Sequence, residues 1–229
     1  NIALVTVGNA ALTNPKWTEY ANYCFAREKG LRKKAFTHLD NFLETADNWT
    51  GDQKVEFVKF LFPFFEAVED ADYGPFPQPL SERLIKKSLE YWCDKENKDE
   101  RPFRWYGTYY RSESHLFRAL ELNPKDDISR QQLLTWWTYN IYYSIHHLPE
   151  GYIGEPNKDL KLAEKAKFQI DELTDPLLKD KWRKELEHDL EFVRNYIDWK
   201  KTGHSNFEQW GKENEKKVNY GTKSYYYDK

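Results

Sequence analysis

The sequence predicts an all-α protein made of consecutive antiparallel helical hairpins, and three observations lead to this fold class. Apolar residues recur at helical spacing, capping residues and prolines stand where helices would begin, and no alternating pattern indicates a strand after residue 8. With 229 residues the chain is long enough for one large domain or two small ones. We expect a single helical domain over residues 1–229, either a regular array of hairpins or an irregular bundle, with roughly nine helices.

Composition and charge narrow the class of protein. Aromatic residues make up 17% of the chain, so large rings must supply much of the buried area, and we expect most of the chain to be ordered. The net charge of −3 gives no general attraction to nucleic acid or to a membrane surface. Apolar runs are too short for a membrane span. Cys24 and Cys93 fit no metal-binding spacing, and we expect two reduced thiols in a cytoplasmic protein.

The first two helices are predicted to form a hairpin. Asn14 can cap a helix start, and Pro15 suits a first helical turn. Apolar residues then fall on one helical face until Gly30 interrupts the helix, and the same pattern resumes directly after it. Because the connection is short, the two helices should lie antiparallel. The apolar residues 1–12 lack the basic front of a secretion signal and are expected to be the first folded element.

The third long helix is predicted to be central. Thr50 or Asp52 can cap it, and the segment between Val55 and Phe65 is apolar nearly all round. Pro63 should kink this helix, because proline removes one backbone donor.

A proline-rich connection over residues 72–80 is expected next, either between two packed halves of the chain or within one domain. The tyrosines at positions 225–227 are expected to dock on the body of the protein or on another chain. Further helices are predicted over residues 81–93, from about Asp126 to His147, over 158–173 and over 175–201.

Residues 115–127, with the sequence HLFRALELNPKDD, predict the end of one helix and the start of another. Ala119 permits close helix contact, and Pro124 cannot continue the helix. The pair resembles the exit of a tetratricopeptide-type repeat, although Glu96 stands where that family has an aromatic residue and no regular period of about 34 residues runs through the chain. The resemblance implies helical hairpins that bind a peptide or protein in a groove, without catalysis.

One group of candidate binding residues lies in the predicted helix that ends near His147. On a helix Trp136, Tyr139, Tyr143 and His147 share one face, with His146 beside them. Rings of this kind are frequent at binding hot spots, so the face predicts a groove for a protein partner. The alternative is a core helix whose tyrosine and histidine tips are satisfied by hydrogen bonds. The two adjacent histidines point about 100° apart on a helix and do not suit one metal ion.

A second candidate group is the cluster of Arg104, Trp105 and Tyr109. Basic and aromatic side chains together suit an acidic protein partner or single-stranded nucleic acid. The alternative is structural stacking of arginine on rings, which the neighbouring acidic residues favour over nucleic-acid binding.

Motifs of catalysis are missing from the sequence. Glu185 and His188 have the spacing of a di-iron helical bundle, but the motif occurs once, and His188 lies opposite the apolar stripe of its helix. A solvated face is therefore expected there. The sequence has neither a glycine-rich phosphate loop nor a nucleophile elbow. We predict neither catalytic residues, nor a metal site, nor a cofactor.

These observations predict a non-catalytic cytoplasmic protein that binds another protein, such as a bacterial immunity or regulatory factor. Two alternatives stay open. One is an enzyme whose pocket is lined by Tyr139, Tyr143, His146 and His147, and the other is an RNA-binding helical protein that uses the region of Arg104.

Overall fold

The computed structural model describes residues 2–66, 76–95 and 98–220, and over these residues the chain is helical and contains no strand. The predicted all-α class is therefore confirmed. Of the eleven helices among the described residues, the fifth consists of Gln78–Leu80, a π-helical turn at Ser81–Ile85, and Lys86–Asp94 in direct succession. The described helices are α1 Ile2–Ala11, α2 Thr18–Glu28, α3 Arg32–Asp47, α4 Gly51–Glu66, α5 78–94, α6 Arg101–Tyr109, α7 Glu113–Leu122, α8 Asp127–Ile145, α9 Pro156–Asp171, α10 Pro176–Thr202 and α11 Phe207–Glu213.

Two of these helices, α6 and α11, are additional to those that the sequence predicts. Arg111 has a φ of 52°, and a residue in the left-handed region separates α6 from α7. At α11 the side chain of Asn206 accepts a hydrogen bond from the backbone N–H of Gln209 at 2.8 Å and caps the helix start. The features that delimit α6 and α11 each involve only a few residues, and neither helix carries a long apolar stripe.

The described helices fall into two compact units, Asn1–His115 and Leu116–Lys229. The division lies within α7 and not in the proline-rich connection 72–80, of which residues 72–75 lie outside the described residues. The tyrosines at 225–227, expected to dock on the protein or on a partner, also lie outside them.

The hairpin of α2 and α3 forms one side of the core of the first unit. Gly30 has a φ of 71°, which glycine adopts without strain, and it lies in the short turn between the two helices. The ring of Tyr23 lies 6.1 Å from that of Phe36, and the ring of Tyr20 lies 5.4 Å from that of Phe42. This order of contacts is that of an antiparallel pair, as predicted.

Helix α4 completes this core. The Thr50 hydroxyl oxygen accepts the N–H of Gln53 at 3.3 Å, and the Gln53 side-chain oxygen accepts the N–H of Thr50 at 3.0 Å, which is a capping box. Its ring Phe57 is fully buried and lies 5.1 Å from Tyr20 and 4.9 Å from Phe42. The helix runs through Pro63 to its end at Glu66.

In the second unit α8 packs against α9 and α10. Asp126 caps α8 by accepting the N–H of Ser129 at 3.4 Å and its hydroxyl at 2.6 Å. Asp171, at the end of α9, pairs with Arg183 of α10. Lys167, one turn earlier in α9, pairs at 2.7 Å with Glu187, one turn later in α10. Helices α9 and α10 are therefore antiparallel. The buried face of α8 consists of Leu133, Leu134, Trp137, Ile141 and Ile145, together with three polar residues.

Candidate functional site

Arg104 and Trp105, two of the predicted binding residues, lie in the interior of the first unit. Their exposed fractions are 7% and 2%. The Arg104 Nε donates a hydrogen bond to the Oε1 of Glu66 at 2.8 Å, and the indole N–H of Trp105 donates to the same oxygen. A carboxylate at the end of α4 thus satisfies both donors of α6. Both side chains are therefore buried and satisfied within the first unit.

Tyr109, the third residue of that group, is half-buried among aromatic side chains of the same unit. Its ring lies 4.9 Å from Phe62 and 5.4 Å from Phe76. Trp105 stacks on Phe62 at 4.7 Å. The group therefore belongs to the core, the structural alternative stated for it above, and Glu66 could not have been paired with it from the sequence because 38 residues separate Glu66 from Arg104.

The second predicted group, on α8 and the turn after it, is largely at the surface. Tyr139 and Tyr143 are 60% and 51% exposed, and His147 is exposed as well. His146 is half-buried, and its ring lies 5.2 Å from that of Tyr143 and 4.2 Å from that of His147. Trp136 differs from the others, because it packs against the apolar core of the second unit.

Tyr142, which is not among the binding residues predicted from the sequence, joins these rings. It is 39% exposed, and its ring lies 6.0 Å from Tyr139 and 5.3 Å from His146. Its position three residues after Tyr139 and four before His146 is the spacing of neighbours on a helix surface, so the signal was present. We call Tyr139, Tyr142, Tyr143, His146 and His147 the aromatic strip.

An open cleft of about 370 Å³ begins at the end of the strip and lies between α8 and α10. The sequence predicts a solvated face for Glu185 and His188, and both are exposed, but they face this cleft. The cleft is lined by Thr135, Thr138, Tyr139 and Tyr142 of α8, by Trp182, Glu185, His188 and Asp189 of α10, and by Tyr220.

A buried carboxylate forms the floor of this cleft. Asp189 is 7% exposed, and its Oδ1 accepts a hydrogen bond from the Tyr220 hydroxyl at 2.7 Å. Burial raises the pKa of the Asp189 carboxyl above its ordinary value, although the tyrosine hydrogen bond partly offsets this. Burial and the adjacent carboxylate both raise the pKa of Tyr220. Separated by 31 residues, the two could not be paired from the sequence.

Tyr220 is fixed in place by contacts with α8, with the turn after α8 and with α10. Its backbone N–H donates to the carbonyl oxygen of Leu148 at 3.2 Å, in the turn after α8. Its ring packs edge-on against Phe192 at 4.9 Å and lies 5.6 Å from Tyr142. The cleft therefore has a wall that is held by backbone as well as by side-chain contacts.

Potential metal ligands do not cluster in the described part of the chain. The described residues contain no group of three or more His, Cys, Asp or Glu side chains that could hold a metal ion. The Nδ1 of His146 lies 2.8 Å from the backbone oxygen of Tyr143, so a backbone group orients this ring. Cys24 and Cys93 are free thiols, and burial raises the pKa of each to about 12, which leaves both protonated at neutral pH.

Comparison with known proteins finds no family model, no curated protein and no solved structure that matches this chain. Within the described part of the chain, none of the helices has both the length and the apolar character needed to cross a bilayer.

Proposed function

We propose that the protein binds another protein through the aromatic strip of its second unit. The observation that carries this proposal is the exposure of Tyr139, Tyr142 and Tyr143 next to one another on α8, at 60%, 39% and 51%. Clustered exposed rings are unusual on a surface without a partner, whereas single exposed apolar residues are common. Tyrosine also contributes strongly to binding because it covers a large area with few rotatable bonds.

Two features of the second unit favour protein binding at the strip over nucleic-acid binding or catalysis at the same place. No lysine or arginine is among the described residues that line the cleft, whereas a site for single-stranded nucleic acid combines rings with basic groups. The backbone oxygen of Tyr143 orients His146, whereas the histidine of a catalytic triad is oriented by a carboxylate.

Within this class we propose a cytoplasmic interaction protein built from tetratricopeptide-like hairpins, of the kind to which immunity and regulatory factors belong. The supports are the helix exit at Ala119 and Pro124, the two free thiols and the absence of catalytic motifs from the sequence. A bacterial origin is part of the same proposal.

Site-specific photo-cross-linking tests the proposal. A benzophenone amino acid replaces Tyr139 or Tyr143 in the full chain, which is irradiated in the cell of origin. Phe168 of α9 is the matched control, since it is 62% exposed in the same unit and lies outside the strip and the cleft. We expect positions 139 and 143 to give the same cross-linked protein and position 168 not to give it. An excess of wild-type protein without the benzophenone should reduce the amount of this cross-linked product.

Identical products from all three positions would show random collision, and no product from positions 139 and 143 would remove the basis of the proposal. A captured protein counts as the partner only if it also loses affinity for the Tyr143→Ala variant in a purified binding assay.

A further inference from the structure

The cleft beside the aromatic strip has the composition of a site for an organic cation. The rings of Tyr139, Tyr142 and Tyr220 follow one another at centroid distances of 6.0 Å and 5.6 Å, and Trp182 contributes a fourth ring from α10. The faces of such rings are electron-rich and attract cations, tryptophan most strongly. The volume of about 370 Å³ is at the low end for small-ligand sites, about 300–1,000 Å³, and suits a single side chain.

The charges at the cleft have the sign that this chemistry requires. Glu185 and Asp189 place two carboxylates in the lining. Asp189 is 93% covered and accepts a hydrogen bond from the Tyr220 hydroxyl, and no lysine or arginine is among the described residues that line the cleft with it. A cation that entered the cleft would compensate the negative charge of this carboxylate.

The protein itself places one cation at the edge of this site. Lys181 holds its Nζ 6.0 Å from the ring centroid of Trp182, at the outer limit of a cation–π contact. This lysine precedes Trp182 on α10 and is not part of the cleft lining. The Trp182 ring therefore has a cation near it that is not part of the lining, whereas the described residues of the lining contribute rings, hydroxyls, an imidazole and two carboxylates.

We infer that the cleft receives an arginine side chain of the partner protein, and the inference rests on the function proposed above. A guanidinium group stacks on aromatic rings and at the same time donates to a carboxylate through its planar fork, so it uses both kinds of group in the lining. The partner therefore presents an arginine next to a surface that covers the tyrosines of the strip.

The experiment uses Nα-acetyl-arginine amide as the probe and Nα-acetyl-citrulline amide as its neutral isostere. Both are titrated into the ¹⁵N-labelled full chain, and the indole N–H signal of Trp182, assigned from its loss in Trp182→Phe, is followed by NMR. We expect a saturable shift with the arginine compound and none with citrulline. Glu185→Gln should weaken the arginine compound by about threefold to fivefold, since the lost contact is an exposed charge pair.

Glu187→Gln is the matched control, because Glu187 lies on the same helix but pairs with Lys167 and Arg194 away from the cleft. Equal shifts from the arginine and citrulline compounds, or equal weakening by Glu185→Gln and Glu187→Gln, would overturn the inference. Asp189→Asn, which keeps an acceptor for the Tyr220 hydroxyl, provides a second variant and should also weaken binding. Any of these failures would leave the cross-linking result at Tyr139 and Tyr143 unchanged, so the two proposals fail separately.

Discussion

Replacing Glu66 tests whether Arg104 and Trp105 act inside the first unit rather than on a partner. The Glu66 side chain is 24% exposed and that of Arg104 is 8% exposed, and Glu66 accepts hydrogen bonds from Arg104 and from the indole of Trp105. Glu66→Ala removes both. A hydrogen bond to a charged group contributes about 1.5–3 kcal/mol. Because Glu66 is partly solvated, we take the lower end of this range for each of the two hydrogen bonds. Their loss then lowers the free energy of unfolding by about 3 kcal/mol.

The second carboxylate near Arg104 reduces this cost. Glu100 lies 3.6 Å from the guanidinium and keeps part of its charge compensated. The expected loss in the free energy of unfolding is therefore about 2–3 kcal/mol, measured by urea denaturation followed through circular dichroism and tryptophan fluorescence. Glu66→Gln keeps one acceptor and should cost about half as much.

The control for Glu66→Ala is Asp47→Ala in the same unit. Asp47 pairs with Arg83 at 2.9 Å, but the two side chains are 59% and 41% exposed, so the loss should stay below about 1 kcal/mol. If Glu66→Ala costs no more than Asp47→Ala, the reasoning about the buried cluster is refuted. An Arg104→Met variant that unfolds normally yet loses the partner would refute it in another way.

Three further predictions concern the second unit. Tyr143→Ala should leave the unfolding free energy within about 0.5 kcal/mol of wild type and weaken partner binding by about 2 kcal/mol, as measured by calorimetry on the identified complex. Asp189→Asn should stabilise the protein at neutral pH and not at acidic pH. Because the pKa of Asp189 is raised, the stabilisation that this side chain provides is complete below the unfolded-state pKa of 3.8 and is lost as pH rises through the folded-state pKa. The difference in stability between Asp189→Asn and wild type should therefore grow with pH. Thermal unfolding measured between pH 3 and pH 8 checks this. The groups that face Asp189 in this titration are Tyr220, His188 and Glu185. Gly154→Ala should destabilise by about 1–3 kcal/mol, because a Cβ there would lie 2.1 Å from the Ser144 hydroxyl oxygen, whereas Gly151→Ala, with nothing within 4 Å, should change unfolding temperature little.

The sequence predicts helices well because their starts and ends depend on nearby residues. Asn14 accepts the N–H of Lys16 at 3.1 Å, and Thr50 and Gln53 cap each other at the start of α4. Such interactions span two or three residues and are visible as motifs. The two extra helices, α6 and α11, are the exception, because each is short and its apolar pattern is too brief to be distinguished from a loop.

The sequence by itself determined the fold class, most helix bounds and the residue types of the aromatic helix α8. Only the tertiary structure decided which aromatic residues are core and which are surface. Trp105 and Tyr139 both belong to clusters of rings and polar groups, yet Glu66 holds Trp105 inside the first unit while Tyr139 is 60% exposed. The cleft needs α10 beside α8 and Tyr220 against Asp189, contacts between segments far apart in the chain. Periodicity reports which residues share a helix face, whereas burial depends on which other helix covers that face.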